Sequence, residues 1–426
     1  MKTKLLNYLG KDLGLFFLVI ILTFVFTKIY LKGYWVYGDS LSYIDWSPQR
    51  PFLYPIYLNF LELFGSNYLN VSFSISILLN LVAILFFYLQ FKLLAKQSLL
   101  SFFASVSLLI PIKMDMANYQ FAILSEQLTY PLFIFYLALM LNVLRTKSTG
   151  KVFLLLFLFF VLISLRLQLI YLVFPIIILL KYLGFGYLKS LGIPIILLIA
   201  SIVIDNISRI NNFGVISGSK SFYMTFATAS LFLSNDDDVR DFKKEIKNEF
   251  GDYASEIHNQ VNLLKANKSF NASKNKIGIY NNYIKNYDVI QWNVLGKYFI
   301  KKNNDSNEWG VRDDFSKEYA FFFIKNNIFE YLSLIFINIY GFYLFDYQFL
   351  ILLTFLFFVN SVKNFINQRY NSLDFSIFLL VFIYLFNTVI VASTIYMDAR
   401  CLFYGDLSVY SSVVLGICRI NFRENV

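Results

Sequence analysis

The run "LGLFFLVIILTFVFTKIYL" (residues 13–31) is followed, five residues later, by "YGDSLSYIDWSPQRPFLYP" (37–55). The contrast between the two decides the fold. As a helix the first run reaches about 28 Å, close to the hydrocarbon thickness of a bilayer. It has lysines before it and Lys28 and Lys32 at its end, with no small-residue cleavage site beyond, so it reads as a retained span and not as a signal peptide. The second stretch places two aspartates, an arginine, three prolines and five aromatics beside that span. Proline punctuation of this kind predicts a short helix or turn pair in the membrane interface.

Working outward, apolar stretches recur at 70–91, 98–112, 120–143, 152–165, 167–180, 190–208, 342–360, 374–395 and 401–418. With the first run they make about ten candidate spans. The chain has 426 residues, 58% of them hydrophobic, and a mean hydropathy of +0.59. The expected fold is therefore an all-α polytopic membrane protein. With the N-terminus inside, the inner segments carry 14 basic residues and the short outer segments 6, among them Lys28, Arg50, Lys113, Arg166 and Arg400. Basic residues are retained on the cytoplasmic side, so the stretch 37–55 faces outward. The net charge of +10 reflects this topology and calls for no nucleic-acid partner. Cys401 and Cys418 fall near opposite ends of the last span, about 25 Å apart, and cannot bond to each other.

The segment 209–341 is the one large polar insert, with 17 basic and 15 acidic residues. It divides the chain into an N-terminal membrane module (1–208) whose first outer loop is 32–69, a small extracytoplasmic domain (209–341), and C-terminal spans (342–426). Within it "SNDDDVRDFKKEIKNEFGDY" (234–253) reads as a capped, charged surface helix. Residues 316–343 mix apolar clusters with Lys325, Asn326, Asn327 and Glu330, the pattern of a helix lying in the headgroup layer or of a plain span start. Neither a fixed-period repeat nor a matched pair of broken helices in related halves is present, which weakens a carrier reading.

Ionisable groups at membrane depth are costly, so each outer acid implies a compensating role. Asp39, about eight residues past the first span, fits either a catalytic carboxylate or the N-cap of a short helix from Leu41. Arg50 snorkels to headgroup phosphates or holds a substrate phosphate. Glu126 lies at or below the outer interface, where a carboxylate wants a cation, a proton or a polar cavity; Asp115 is in the loop before it. Arg166 parts two apolar runs, either in a tight outer turn or buried against an acid. Asp398 and Arg400 occupy the last outer turn. No nucleophile elbow, HExxH, Walker loop or CxxC pair occurs, and the single histidine, His258, is expected at the surface of the insert.

The segments "GDSLSYI" (38–44), "RPFLYPIYL" (50–58) and "ILSEQLTYPLF" (123–133) resemble the GT-C superfamily of polyprenyl-phosphate-sugar-dependent glycosyltransferases, near the protein O-mannosyltransferase and aminoarabinose transferase branch. "EYAFFFIKNNIFEYLSLIFINIY" (318–340) resembles the interfacial helix of bacterial members. Asp39 is followed by Ser40, where many mannosyltransferases carry a paired second acid. The resemblance implies a GT-C-like fold in the bacterial cytoplasmic membrane with its active site facing outward. It implies a polyprenyl-phosphate sugar donor and a lipid, glycan or protein acceptor. Asp39 becomes the catalytic base, and Asp115 or Glu126 the second acid, orienting the acceptor or holding a divalent cation (Mg or Mn). Arg50, Arg166, Arg400 and Lys113 become donor-phosphate ligands, with Tyr43 and Tyr54 in an aromatic platform. Competing readings are a transporter or flippase of lipid-linked or anionic solutes, a polysaccharide polymerase or ligase, and a structural membrane subunit.

Overall fold

The computed structural model describes residues 12–47, 50–110, 121–214, 220–246, 249–266, 276–302, 308–346, 348–366, 371–394 and 399–423. Among the described residues the chain is helical throughout, with no strand and a single isolated bridge between Trp35 and Ala122. It divides into two compact units. The first comprises Met1–Phe213, Phe349–Asn387 and Leu402–Val426, the second Gly214–Gln348 and Thr388–Cys401.

The first unit opens with α1 (Leu13–Lys32), α2 (Gly38–Ile44), α3 (Leu53–Glu62), α4 (Tyr68–Ala95) and α5 (Ser98–Ser107). Then come α6 (Glu126–Thr146), α7 (Thr149–Leu165), a 3-10 segment Leu167–Leu172, α8 (Val173–Tyr182) and α9 (Tyr187–Phe213). Asp12 caps α1 by accepting the Leu15 N–H at 3.2 Å, and its buried carboxylate also takes the Tyr88 hydroxyl and Lys92 ammonium, each at 2.5 Å, together with the Ser98 hydroxyl. That knot joins α1, α4 and α5. Gly14 permits it: a Cβ there would lie 2.5 Å from the Ser98 hydroxyl oxygen.

Helix α6 is the axis of this unit, buried on nearly every side and packed along α4. Pro131 lies inside it. Proline has no N–H, so the Gln127 carbonyl loses its normal helical donor. The Ser76 hydroxyl of α4 supplies one at 2.7 Å, and a proline that should weaken the helix becomes a point where two helices are joined.

Among the described residues five helices are long and apolar enough to cross a bilayer: α1, α4, α6, α9 and α18 (Ser372–Thr394). The apolar helices at 98–107, 149–165, 167–182 and 223–233 are shorter, at 10–17 residues. Helices α17 (Gln348–Ile366) and α19 (Ala399–Arg423) cover most of the stretches 342–360 and 401–418. The chain is thus a helical membrane protein by length and composition. Helix α9 extends to Phe213, beyond the expected end at 208, because Asp205 and Arg209 neutralise each other one turn apart.

The second unit holds α10 (Lys220–Leu233), α11 (Asp236–Glu245), α12 (Phe250–Ala266), α13 (Lys276–Asp288), a π-helical turn Val289–Gly296, α14 (Lys297–Lys302), α15 (Glu308–Asn326) and α16 (Ile328–Asp346). Its core gathers Phe242, Ile257, Ile290, Phe299 and Phe315. The start of α11 is a capping box: the Asn235 side chain accepts from Asp237 and Asp238 N–H, and the Asp238 carboxylate accepts from Asn235 N–H. Three acids in its first turn and Lys243 and Lys244 in its last complement the helix dipole.

Two expectations change here. The stretch 316–343 is not one interfacial helix. It is bent by 98° at Asn327, whose side chain is drawn to the Asp238 carboxylate at 3.0 Å. This bent pair would make a sixth crossing if it formed one span. His258 is buried, at 2% exposure, rather than at the surface. Its Nε2 lies 3.0 Å from Asp236 Oδ1 and its Nδ1 3.4 Å from the Ser234 hydroxyl. Burial lowers its pKa, with Asp236 opposing the shift.

Candidate functional site

The loop after α1 is fixed to the entry of α6 by main-chain pairing: Ile123 N–H donates to Trp35 O at 3.1 Å. Below it Tyr43, Tyr54, Leu58, Ile123, Leu124 and Leu165 form one apolar cluster. These contacts bring residues distant in sequence to one place. Helix α2 starts at Gly38, and the Ser40 hydroxyl accepts the Tyr37 N–H at 2.9 Å. Ser40 therefore does the capping. Asp39, in the first turn, is not the N-cap.

Arg50 donates to Asp39 Oδ1 through Nη2 at 2.7 Å and to the Ser42 hydroxyl through Nε at 2.6 Å. Its guanidinium also covers the Tyr43 ring, 4.7 Å from the centroid. The Tyr43 hydroxyl is 3.1 Å from that of Ser125, and Ser125 donates its one proton to Glu126 Oε2 at 3.2 Å. Tyr43 must then be the donor to Ser125. Glu126 Oε1 meets Arg166 Nη1 at 2.5 Å, while Arg166 Nε donates to Gln168 at 3.0 Å and its guanidinium lies 5.7 Å from the Tyr404 ring centroid. A chain of contacts thus runs from Asp39 through Arg50, Tyr43, Ser125 and Glu126 to Arg166, hydrogen bonds and ion pairs throughout except where the Arg50 guanidinium lies over the Tyr43 ring.

Exposure falls along this chain as far as Glu126. The Asp39 side chain is 46% exposed, whereas Glu126 and Arg166 are 1% and 15% exposed. A solvent-reachable carboxylate is linked to a desolvated ion pair. Arg166 ends α7 with extended backbone (φ −153°, ψ 103°), so it occupies a helix break and faces an acid at once. Of the two sequence alternatives, the pairing with an acid is present. The guanidinium's desolvation is offset by the Glu126 carboxylate.

Sequence reasoning missed a third arginine–carboxylate pair. Asp205 Oδ2 receives Arg209 Nε and Nη2 at 2.9 and 2.8 Å, and its Oδ1 receives the Phe52 N–H at 3.0 Å. This pins the loop just after Pro51 to α9. Trp46 packs edge-on against Phe213 at 5.6 Å and holds φ +40°. A bulky residue in the left-handed region costs about 1–3 kcal/mol. Gln127 is a further missed residue, accepting from the Tyr54 hydroxyl at 2.9 Å and the Ser72 hydroxyl at 2.5 Å. Acids and amides spaced i, i+4 from arginine or beside glutamate in apolar helices were the available signals.

Of the expected site residues, Asp39, Arg50, Tyr43, Glu126 and Arg166 come together. Tyr43 and Tyr54 are buried and meet edge-on at 5.3 Å, so they brace the loop from beneath instead of forming an open platform. Burial raises the Tyr54 phenol well above its ordinary value, and it remains a donor. Arg400 is placed only as the second residue of α19. Lys113 and Asp115 lie outside the described residues. A divalent cation at Glu126 would share its carboxylate with the Arg166 guanidinium on one oxygen and the Ser125 hydroxyl on the other. No protein-family model, no curated protein and no solved structure matches the chain.

Proposed function

We propose that this protein is a GT-C-like glycosyltransferase of the bacterial cytoplasmic membrane, with about ten spans and an extracytoplasmic insert. It moves a sugar from a polyprenyl-phosphate donor to an acceptor hydroxyl at the outer face. The observation that carries the reading is the chain of contacts joining half-exposed Asp39, through the Arg50–Tyr43 stack, to the buried Glu126–Arg166 pair. Such a pairing of an accessible carboxylate with arginines at membrane depth suits a reaction that needs a base and an anion-stabilising partner.

In this mechanism the donor phosphate arrives from the lipid side and competes with Asp39 for Arg50. The acceptor hydroxyl gives its proton to the released Asp39 carboxylate as its oxygen bonds to the anomeric carbon. The carbon–oxygen bond to the phosphate breaks, and its electron pair leaves with the polyprenyl phosphate. Arg50 holds the growing negative charge through charge-assisted hydrogen bonds. Arg166 and Glu126 position Tyr43 through Ser125, and Tyr43 sets the plane of Arg50. No step requires a metal at Glu126.

Transfer by the purified full chain, assayed with a panel of polyprenyl-phosphate sugars, tests this reading. Asp39→Asn should lower turnover at least a hundredfold, the lower end of a general-base contribution. Undiminished transfer by Asp39→Asn removes the assigned base, and no transfer from any lipid-linked sugar by the wild type removes the function.

A further inference from the structure

A second site lies at the other end of the first unit. Helix α6 begins at Glu126 and its C-cap is Lys147, about 30 Å away by helical rise. That is one hydrocarbon thickness from the arginine-rich mouth. There α8, α9 and α18 enclose a cleft of about 520 Å³ lined by Ile177, Lys181, Tyr182, Tyr187, Leu191 and Phe375, among others. Its volume is within the roughly 300–1,000 Å³ of small-molecule sites. The lining is almost wholly apolar, as an acyl chain requires.

The cleft is also positively charged. Lys181 places its ammonium 3.1 Å from the Tyr187 ring centroid, and Lys147 lies 5.6 Å from that of Tyr182, which stacks on Phe375 at 3.9 Å. Among the described residues neither Asp nor Glu lines it. Asp374, next to Phe375 in sequence, has its carboxylate on Arg419 at 2.8 Å and does not cancel the lysines. Tyrosines with lysines mark headgroup depth. Lipid tails gain little by exchanging bilayer for protein, so selectivity here must come from the headgroup.

We propose that this cleft holds an anionic phospholipid of the surrounding bilayer, its acyl chain between α8 and α9 and its phosphate at Lys147 and Lys181. The site does not depend on the glycosyltransferase reading.

The test reconstitutes the full chain in nanodiscs of equal phosphatidylglycerol and phosphatidylcholine and measures co-purified lipid by native mass spectrometry after detergent transfer. Wild type should retain phosphatidylglycerol preferentially. Lys147→Gln and Lys181→Gln should each lower that preference roughly fivefold and the double variant roughly twenty-five-fold, whereas Lys181→Arg should keep it. Thermal melting of each variant confirms that it is folded. Equal retention of the two lipids, unchanged retention in the double variant, or a lipid-free dimer joined through α9 would overturn the proposal.

Discussion

Removing either member of the Glu126–Arg166 pair should cost far more than removing both. Glu126 is 1% exposed and Arg166 15%, with 2.5 Å between their charged atoms. Arg166→Met leaves a carboxylate in apolar surroundings with the Ser125 hydroxyl still donating to it. Stranding a buried charge costs about 3–5 kcal/mol. Glu126→Gln strands Arg166 instead, but that guanidinium is less buried and keeps Gln168 and the Tyr404 ring nearby, so its cost should fall at or below the lower end. The double variant carries no buried charge at this point and should return to within about 1 kcal/mol of wild type, since neutral replacement of a buried pair is often tolerated. The coupling energy is then at least about 2 kcal/mol, well above that of exposed pairs. Unfolding by sodium dodecyl sulfate in mixed micelles, followed by tryptophan fluorescence, measures all three. Additive single costs, or Glu126→Gln costing more than Arg166→Met, would refute the burial argument.

Further expectations follow from other parts of the molecule. Gly14→Ala should destabilise the chain by about 1–3 kcal/mol through overpacking, because its Cβ would meet the Ser98 hydroxyl and carbonyl oxygens at 2.5 and 2.6 Å; a midpoint equal to wild type in the same micelle titration contradicts it. His258 is held below its ordinary pKa by burial, so the unfolded chain binds its proton more readily. Its stabilising effect is complete above about pH 6.5 and is lost as pH falls through the lower folded value. Hydrogen exchange over residues 250–266 should therefore quicken from pH 7 to 5, after correction for intrinsic rates, and less so in His258→Gln. Asp205→Asn should loosen the loop at Phe52, read as faster exchange there with α4 unchanged.

Much of the helical organisation was legible because apolar length and composition report membrane helices directly. Helices α1, α4, α6, α9 and α18 each appear as an uninterrupted apolar run, and the α11 cap as an Asn–Asp box. Short helices such as α7 were harder to read, since 17 apolar residues define a helix but not whether it crosses. Asp39, Arg50, Glu126 and Arg166 stood out as charges beside apolar sequence. Their pairing could not be read, because Arg50 reaches back eleven residues to Asp39 and Arg166 meets an acid forty residues earlier. Those meetings depend on the Trp35–Ala122 bridge and the break after α7, which are tertiary facts. In sequence Tyr43 is one member of the expected aromatic platform, and its role as the link between Arg50 and Ser125 follows only from packing.

The most direct test of the catalytic account uses sealed vesicles carrying the full chain, with radiolabelled polyprenyl-phosphate sugar in the bilayer and acceptor added outside. In right-side-out vesicles the wild type should release polyprenyl phosphate, and Asp39→Asn should bind donor at least as tightly, because its Arg50 is no longer held by a carboxylate, while releasing none above background. Release confined to inverted vesicles, or equal release by Asp39→Asn, would contradict an outward-facing carboxylate base.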